Sequence, residues 1–103
     1  MRISSFKARV YSAARRVPKG KVATYKAIAI VAGKSKAMRA VGNIMHHNDI
    51  SHTGVPCHRI IKSSGEVGGF AHGTKKKVAL LLSEGVRVMN GKVDLTKFAH
   101  RFR

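Results

Sequence analysis

The sequence has one cysteine, four acidic residues and no apolar stretch long enough to cross a membrane. A single cysteine excludes an internal disulfide and is typical of proteins from reducing compartments. The longest comparable apolar run, residues 27–32, has only six residues, far fewer than a spanning helix requires. The first residues also contain no apolar region of signal-peptide length. We therefore expect no association with a membrane.

The scarcity of acidic residues leaves a large positive charge. Twenty-one Lys and Arg residues against four Asp and Glu residues give a net charge of +17. This excess predicts a polyanionic partner, and it favours nucleic acid because no amphipathic membrane anchor accompanies it. With 103 residues, of which 44% are hydrophobic, the chain is large enough for a core. We expect one domain spanning residues 1–103.

The six histidines suggest a metal site, but their spacing does not support one. The histidines near the only cysteine, Cys57, do not follow a known ligand pattern, and no second thiol exists. These histidines are His46, His47, His52 and His58. We therefore expect neither a metal ion nor another cofactor.

Helix and turn signals predict a mostly helical domain with short strands. A first helix, capped by Ser4 or Ser5, ends at Pro18 and Gly20. After a short extended piece at residues 22–23, Thr24 caps a second helix that runs from Tyr25 to about residue 32. The apolar face of the first helix consists of Phe6, Val10, Ala13, Ala14 and Val17.

The second and third helices predict a helix-turn-helix unit. Gly33 fits the left-handed position that ends the second helix, and Ser35 caps a third helix from Lys36 to about His47. Two helices joined by a short glycine-containing turn match the helix-turn-helix pattern. The predicted inner face of the third helix holds Ala37, Ala40, Val41 and Ile44, and its outer face holds Met38, Arg39, Gly42, Asn43 and His46.

Gly42 is unusual because a glycine inside a helix costs about 1 kcal/mol relative to alanine. One reason to keep it is the close approach of another backbone. That backbone can belong to DNA, with the helix pressed into a groove, or to a neighbouring helix of the same chain. The sequence leaves both interpretations open.

The apolar run around Cys57 predicts a strand that holds the thiol beside His58. A thiol becomes a useful nucleophile when a neighbouring base takes its proton. The alternative is an inert buried cysteine, which is a common role for this residue type.

The C-terminal part predicts a final helix and a hairpin. Thr74 caps the helix, which runs through Glu84 with Val78, Leu81 and Leu82 directed inward. The first turn of this helix contains Lys75, Lys76 and Lys77, and the helix dipole disfavours cations at this end. A nearby phosphate or exposure to solvent would offset that unfavourable interaction. Residues 86–95, with Asn90-Gly91 at their centre, predict a hairpin with a type I′ turn.

Four motifs, in order along the chain, resemble those of the O6-alkylguanine-DNA alkyltransferases. Residues 37–42 are similar to the recognition-helix motif, although a second small residue usually stands where this chain has Met38. Residues 56–59, Pro-Cys-His-Arg, are similar to the active-site motif. Residues 64–70 are similar to the loop that closes over a flipped base, and residues 80–85 to the final helix. The resemblance covers roughly Phe6 to Gly85.

This resemblance implies a set of catalytic residues. Cys57 accepts the alkyl group, His58 takes the thiol proton through a water molecule, and Glu84 orients His58. Asn48 braces the turn that carries the cysteine. Arg59 has a structural role.

The same resemblance implies residues that bind DNA and the target base. Tyr25 helps to rotate the target nucleotide out of the duplex, and Arg39 fills the gap left in the base stack. The other DNA-binding positions are Met38, Gly42 and Asn43. The base pocket is formed around Ile60, Phe70 and Ala71.

The family implies a winged-helix-like helix-turn-helix DNA-binding domain that repairs DNA. It would transfer an alkyl group, such as methyl, from guanine O6 to its own Cys57, once per molecule. The expected partner is double-stranded DNA containing alkylated guanine. We expect a monomer located in the cytoplasm, associated with the nucleoid, or in the nucleus.

Two alternatives stay open. The tail, residues 84–86 and 91–95, is similar to that of alkyltransferase-like proteins, which sense lesions without repairing them and carry tryptophan or alanine in place of the cysteine. The chain would then be a non-enzymatic sensor of O6-alkylguanine that recruits other repair. A basic structural nucleic-acid-binding protein with a buried cysteine is the other alternative.

Overall fold

The computed structural model describes residues 5–46, 55–68 and 74–102. Within these ranges the chain is mostly helical with short strands, as predicted, and none of the helices is long and apolar enough to cross a membrane. The helices are α1 Ser5–Arg15, α2 Tyr25–Val31, α3 Met38–His46, α4 Thr74–Ser83 and α5 Leu95–Phe98. The strands are β1 Ala23–Thr24, β2 Ile60–Ile61, β3 Val88–Met89 and β4 Lys92–Val93.

The first hydrophobic cluster is built on the apolar face of α1, as the spacing predicted. Val10, Ala13, Ala14 and Val17 are buried there, and Phe6 packs against the cluster. Ile28 and Ala29 of α2 and Val41 of α3 complete this three-helix contact. The helices therefore associate through burial of apolar surface, the dominant favourable term in folding.

The turn between α2 and α3 is closed by backbone and side-chain hydrogen bonds. The Thr24 hydroxyl accepts a 3.0 Å hydrogen bond from the Ala27 amide, so it caps α2 as predicted. Gly33, at φ +96°, ends the helix in the left-handed region. Arg9 Nε then donates a 2.6 Å hydrogen bond to the Ala32 carbonyl, which ties this turn to α1.

The third helix differs from the prediction in its start and its inner face. Ser35 does not cap the helix, because residues 35 and 36 lie in a turn before it. In this turn the Ala37 amide donates a 2.9 Å hydrogen bond to the Lys34 carbonyl. Ala40 is exposed, whereas Val41 is fully buried. In this helix Val41 belongs to the first cluster and Ile44 packs against it, and the short side chain of Ala40 lies beside this narrow contact.

A short parallel pair of strands joins the two halves of the domain. Ala23 of β1 pairs with Ile60 of β2, and Thr24 pairs with Ile61. Ile60 belongs to the first cluster, whereas Ile61 belongs to a second cluster with Leu81. Successive strand residues point to opposite faces, so this one pair anchors both clusters.

The hairpin is confirmed and supplies the wing of the predicted winged-helix-like fold. Val88 pairs with Val93, and the turn residues Asn90 and Gly91 have φ values of 53° and 75°, as a type I′ turn requires. The Val93 amide donates to the Gly65 carbonyl at 2.8 Å. The wing is thereby fixed to the turn that follows β2.

The sequence did not predict α5 or the segment after it. The Asp94 side chain accepts a 3.0 Å hydrogen bond from the Thr96 amide and so caps α5. The chain then returns to β1, where the Val22 amide donates to the Phe98 carbonyl at 2.9 Å and the His100 amide donates to the Val22 carbonyl at 2.7 Å. The C-terminal segment is thus part of the fold.

The predicted inner face of α4 is partly wrong. Leu81 is buried and Val78 packs against the second cluster, but Leu82 is 52% exposed. Lys77 takes a buried position, four residues before Leu81 on the same helix face. The helix ends at Ser83, one residue before Glu84.

Candidate functional site

A single 3-10 turn, Cys57–Arg59, carries the cysteine, so the predicted strand at this position is wrong. Pro56 lacks an amide hydrogen and cannot take part in a strand ladder. Instead the Cys57 amide donates to the Val55 carbonyl at 2.8 Å, and the Arg59 amide donates to the Pro56 carbonyl at 3.0 Å. These short bonds hold Cys57, only 3% exposed, at the edge of the first cluster.

The next residue, His58, lies against Glu84 in the turn after α4. His58 Nε2 is 2.8 Å from Glu84 Oε2. The Arg59 guanidinium donates to both oxygens of the same carboxylate, at 2.9 and 2.8 Å, and to the Val17 carbonyl at 3.0 Å. The structure therefore brings His58, Arg59 and Glu84 together as a compact charge-assisted group.

The surroundings determine how this group is protonated. Burial alone would raise the pKa of Glu84, but the hydrogen bonds from Arg59 and His58 outweigh it and hold that pKa below its ordinary value. Burial lowers the pKa of His58, and the Glu84 hydrogen bond only partly opposes this. His58 is therefore neutral at pH 7.

Neutral His58 has a defined tautomer. An ionised carboxylate only accepts hydrogen bonds, so the proton of His58 is on Nε2, facing Glu84. Nδ1 then carries the lone pair, and this buried atom has no hydrogen-bond partner among the described residues. The imidazole is thus arranged as a base at Nδ1.

A buried cation, Lys77, adds a feature that the sequence analysis missed. Lys77 is 1% exposed, and its Nζ donates to the Ile60 carbonyl at 2.7 Å and, more weakly, to the Tyr25 hydroxyl at 3.5 Å. Burial lowers the pKa of Lys77 to about 8, and electrostatic attraction to Cys57 partly opposes this decrease. The sequence contained one indication of this burial, because the i, i+4 spacing puts Lys77 on the same helix face as Leu81.

Tyr25 connects this cation and the thiol to the protein surface. Its ring lies 5.7 Å from Lys77 Nζ, and it packs against the cluster that contains Cys57. Burial raises the pKa of Tyr25, and the charge of Cys57 raises it further. Tyr25, Cys57 and Lys77 are therefore electrostatically coupled.

A cavity of about 470 Å³ opens beside Tyr25, between α3 and the turn after β2. All five positions predicted to bind DNA line it: Tyr25, Met38, Arg39, Gly42 and Asn43. Three residues that were not among the predicted site residues complete its described wall: Lys62, Ser63 and Ser64. Two of its lining residues, Arg39 and Lys62, are cationic, and none is acidic.

Gly42 has space around it on this wall. A Cβ atom built on Gly42 meets no atom of the described chain within 4 Å. The interpretation that Gly42 allows a close contact with another helix is therefore wrong within the described residues. The glycine instead keeps one wall of the cavity flat.

The remaining predicted site residues are distributed as follows. Ile60 is buried, and its carbonyl accepts the hydrogen bond from Lys77. Asn48, Phe70 and Ala71 lie outside the described residues. Among those that are described, no three His, Cys, Asp or Glu side chains form a group that could hold a metal ion.

The fold and site define a winged helix-turn-helix domain in which a buried cysteine directly precedes a histidine–glutamate pair, next to a cationic cavity. Residues 5–86 match the family model of the 6-O-methylguanine DNA methyltransferase, DNA binding domain. The chain belongs to this family.

Individual relatives include proteins about twice as long as this chain and one of nearly the same length. A methylated-DNA--protein-cysteine methyltransferase of Saccharolobus islandicus is 45% identical over 83 residues, which are 81% of this chain and 52% of the relative. The crystal structure of Mycobacterium tuberculosis OGT in complex with DNA has a TM-score of 0.73 at 40% identity and covers 82% of this chain and 51% of that one. The chain therefore spans about half the length of these methyltransferases.

S. pombe Atl1, in a crystal structure with damaged DNA containing O6-carboxymethylguanine, matches along nearly its whole length. The TM-score is 0.87 at 32% identity, and the match covers 98% of this chain and 99% of that one. The C-terminal part of our chain, beyond the family-model match, is included in this likeness.

Proposed function

We propose that this protein repairs alkylated DNA by transferring the alkyl group from guanine O6 to the sulfur of Cys57. The observation that carries the proposal is the buried His58–Glu84 pair directly after Cys57, with His58 Nδ1 available as a base. The names of its relatives support the same chemistry. Residues 1–103 would act as one catalytic and DNA-binding domain, as a monomer in the cytoplasm or nucleus.

The reaction begins with removal of the thiol proton. An ordinary thiol is only a few per cent ionised at neutral pH, so a nearby base is needed. His58 accepts the proton at Nδ1, through a water molecule as in the family, and becomes a cation. Glu84 stabilises that cation across the 2.8 Å contact.

The thiolate then attacks the alkyl carbon. A sulfur–carbon bond forms as the bond between that carbon and O6 breaks, and its electron pair returns to the base, which takes up a proton to give guanine. The product at Cys57 is a thioether. The chain has no second cysteine to reverse this step, so each molecule should react once.

Lys77 supports the anionic form of the nucleophile. Its ammonium is buried, coupled electrostatically to Cys57, and positioned by the Ile60 carbonyl. A cation in such a low-dielectric site acts far more strongly than one in water. Lys77 is therefore proposed as a positioning and electrostatic residue for the transfer.

The cavity is proposed to receive DNA from which the target nucleotide has been rotated. The reacting atom lies inside a duplex, so the base must leave the stack. Arg39 and Tyr25, both on the cavity wall, are proposed to fill the stack and to guide the nucleotide. Only three of the described residues are acidic, and one of them, Glu84, is paired with Arg59, so the basic residues are in large surplus and favour a polyanion.

The second candidate function is a lesion sensor without transfer. The full-length likeness to Atl1, which binds damaged DNA in its crystal structure, favours this candidate. In that case Cys57 stays unmodified and the protein holds the lesion for other repair. The presence of Cys57 beside a base is the feature that favours the enzyme.

Intact-mass analysis separates the two functions. The protein is incubated with excess duplex containing one O6-methylguanine, and the modified residue is located by peptide mapping. Cys57→Ser serves as the matched variant, because the hydroxyl is nearly isosteric but cannot supply an anion at neutral pH with this base.

In the enzyme, wild type gains one methyl group on Cys57 and loses its hold on the lesion, while the serine variant gains none and stays bound. In the sensor, both proteins stay bound and neither gains mass. An unmodified Cys57 after long incubation would overturn the proposed transfer.

A further inference from the structure

Lys62 lies on the wall of the 470 Å³ cavity, at the end of β2. It was not among the residues selected from the sequence, and the proposed transfer does not use it. The other cation of the described wall, Arg39, comes from α3. Two cations thus reach the same cavity from two different elements.

The backbone of Lys62 is fixed. Its amide donates to the Glu66 carbonyl at 3.0 Å, and its carbonyl accepts from the Gly65 amide at 2.9 Å. The preceding residues, Ile60 and Ile61, are fully buried and paired with β1. The side chain therefore starts from a rigid turn.

The aliphatic stem of the Lys62 side chain is also held in place by a neighbouring residue. A Cβ atom placed on Gly68 would lie 3.3 Å from Cγ of Lys62 and 3.5 Å from its Cε, so the stem crosses Gly68 closely. Gly68 has a φ of +75°. The ammonium thus extends from a stem packed on backbone, which reduces the entropy lost when it binds a ligand.

The charge around Lys62 points to an anion as its ligand. No acidic residue belongs to the described wall of the cavity. The nearest acidic residue along the chain, Glu66, accepts a hydrogen bond from the Ser64 hydroxyl at 3.1 Å. Two like charges facing one cavity repel each other unless an anion is bound between them.

We propose that Lys62 binds a backbone phosphate of the DNA seated in this cavity and thereby sets the register of the strand that carries the target nucleotide. The inference rests on the proposed function and adds a phosphate contact to it. Lysine is a compact point charge suited to a phosphate, whereas Arg39, with a planar side chain on the helix, is suited to the base stack. Phosphate contacts position a protein without reading sequence, which repair at any sequence requires.

The test compares the salt dependence of duplex binding for three single variants. Lys62→Met removes the charge and keeps the stem, Lys62→Arg restores a charge, and Lys19→Met removes an exposed charge from the turn after α1, outside the cavity. Dissociation constants are measured on unmodified and methylated duplexes between about 0.1 and 0.4 M salt. Melting temperatures verify that each variant is folded.

One lost phosphate contact should make the log-log slope less negative by about 0.9. The same contact is worth about fivefold in affinity at about 0.15 M salt. We expect this loss for Lys62→Met on both duplexes, recovery in Lys62→Arg and no comparable loss in Lys19→Met. Reaction with free O6-benzylguanine should be unchanged, because the free base has no phosphate.

Three outcomes would overturn the assignment of Lys62: an unchanged slope in Lys62→Met, an equal loss in Lys19→Met, or an equally slowed reaction with the free base. They leave the proposed function intact as long as wild type binds duplex with a steep salt slope and gains a methyl group. A wild-type slope near zero would instead contradict the proposed function itself.

Discussion

Nε2 of His58 lies 2.8 Å from Oε2 of Glu84, and the same oxygen accepts a 2.8 Å hydrogen bond from the Arg59 guanidinium. The carboxylate therefore serves two purposes. It fixes the imidazole tautomer that the proposed proton transfer requires, and it neutralises an arginine that also binds the Val17 carbonyl. The proposed catalysis and the fold depend on one carboxylate, so changes at Glu84 should affect both.

Glu84→Gln should slow alkyl transfer and destabilise the fold. The amide keeps the shape but leaves Arg59 without its charge partner, at a cost of about 3 kcal/mol in unfolding free energy. It also removes the interaction that raises the pKa of His58, so that pKa should fall further and the imidazole should become a weaker base. We expect about a hundredfold loss in single-turnover rate.

The dependence of the transfer rate on pH tests the direction of this change in the pKa of His58. Neutral His58 is the active form, so the wild-type rate should fall as the pH drops through its pKa, which lies below 6.5. In Glu84→Gln this inflection should move to still lower pH. Rates with free O6-benzylguanine are measured against pH, with Glu66→Gln as the exposed control. An inflection that moves upward would contradict the proposed tautomer.

Lys77→Met should lower the reactivity of Cys57 without unfolding the protein. The variant loses the hydrogen bond to the Ile60 carbonyl but also removes the cost of a buried charge, so unfolding free energy should change by no more than about 2 kcal/mol. Ionisation of the thiol should shift to higher pH, because a buried cation coupled to Cys57 is gone. We expect the reactivity of Cys57 at pH 7 to fall about tenfold.

Iodoacetamide labelling of Cys57 across a pH series, read by mass spectrometry, measures this shift. Lys76→Met is the matched control, since Lys76 is the preceding residue of α4 but is exposed. The loss should also shrink above about pH 8, where wild-type Lys77 itself becomes neutral. Equal labelling of both variants would remove Lys77 from the site.

Much of the fold was predictable because local signals and tertiary contacts agree. The cap at Thr24, the left-handed Gly33 and the Asn90-Gly91 turn each depend on a few neighbouring residues, and all three are confirmed. Errors occurred where tertiary packing decides. Ala40 and Leu82 have apolar side chains at helical spacing, yet both are exposed because no element within the described ranges covers them.

The residues of the candidate site were predictable only in part. Motif resemblance selected Cys57, His58 and Glu84, and the structure brings the last two together. It did not select Lys77, because a run of three lysines indicates a solvated face until the contacts of the helix are known. The turn at Cys57 was mistaken for a strand because β-branched neighbours outweighed the effect of Pro56.

Arg39→Ala should separate base flipping from chemistry. Arg39 is exposed on the cavity wall, away from the buried His58–Glu84 pair, so its removal should not change reaction with free O6-benzylguanine. Repair of a methylated duplex should slow by about 10- to 100-fold, because an unstacked duplex loses the side chain that fills the gap. Arg87→Ala, in the wing, controls for loss of one exposed charge. Equal losses on the duplex and the free base would exclude the flipping role.

Gly42→Ala should stabilise the protein while weakening its hold on DNA. A Cβ at this position meets nothing within 4 Å in the described chain, so the helix gains the alanine propensity, about 1 kcal/mol, with no clash. The melting temperature should rise by about 4–8 °C. If DNA approaches the flat wall at Gly42, the added methyl group should reduce duplex affinity and duplex repair, but not reaction with the free base.

The matched control is Ala79→Gly, at an exposed position of α4, which should lose about 1 kcal/mol and leave DNA binding unchanged. Melting curves and duplex titrations on both variants give the comparison. No described residue covers Gly42, so a DNA contact is the proposed reason for a destabilising glycine in this helix, and stability and binding should then change in opposite directions. If Gly42→Ala is more stable and binds duplex as tightly as wild type, DNA does not approach at Gly42 and the recognition role of α3 must lie in Met38, Arg39 and Asn43 instead.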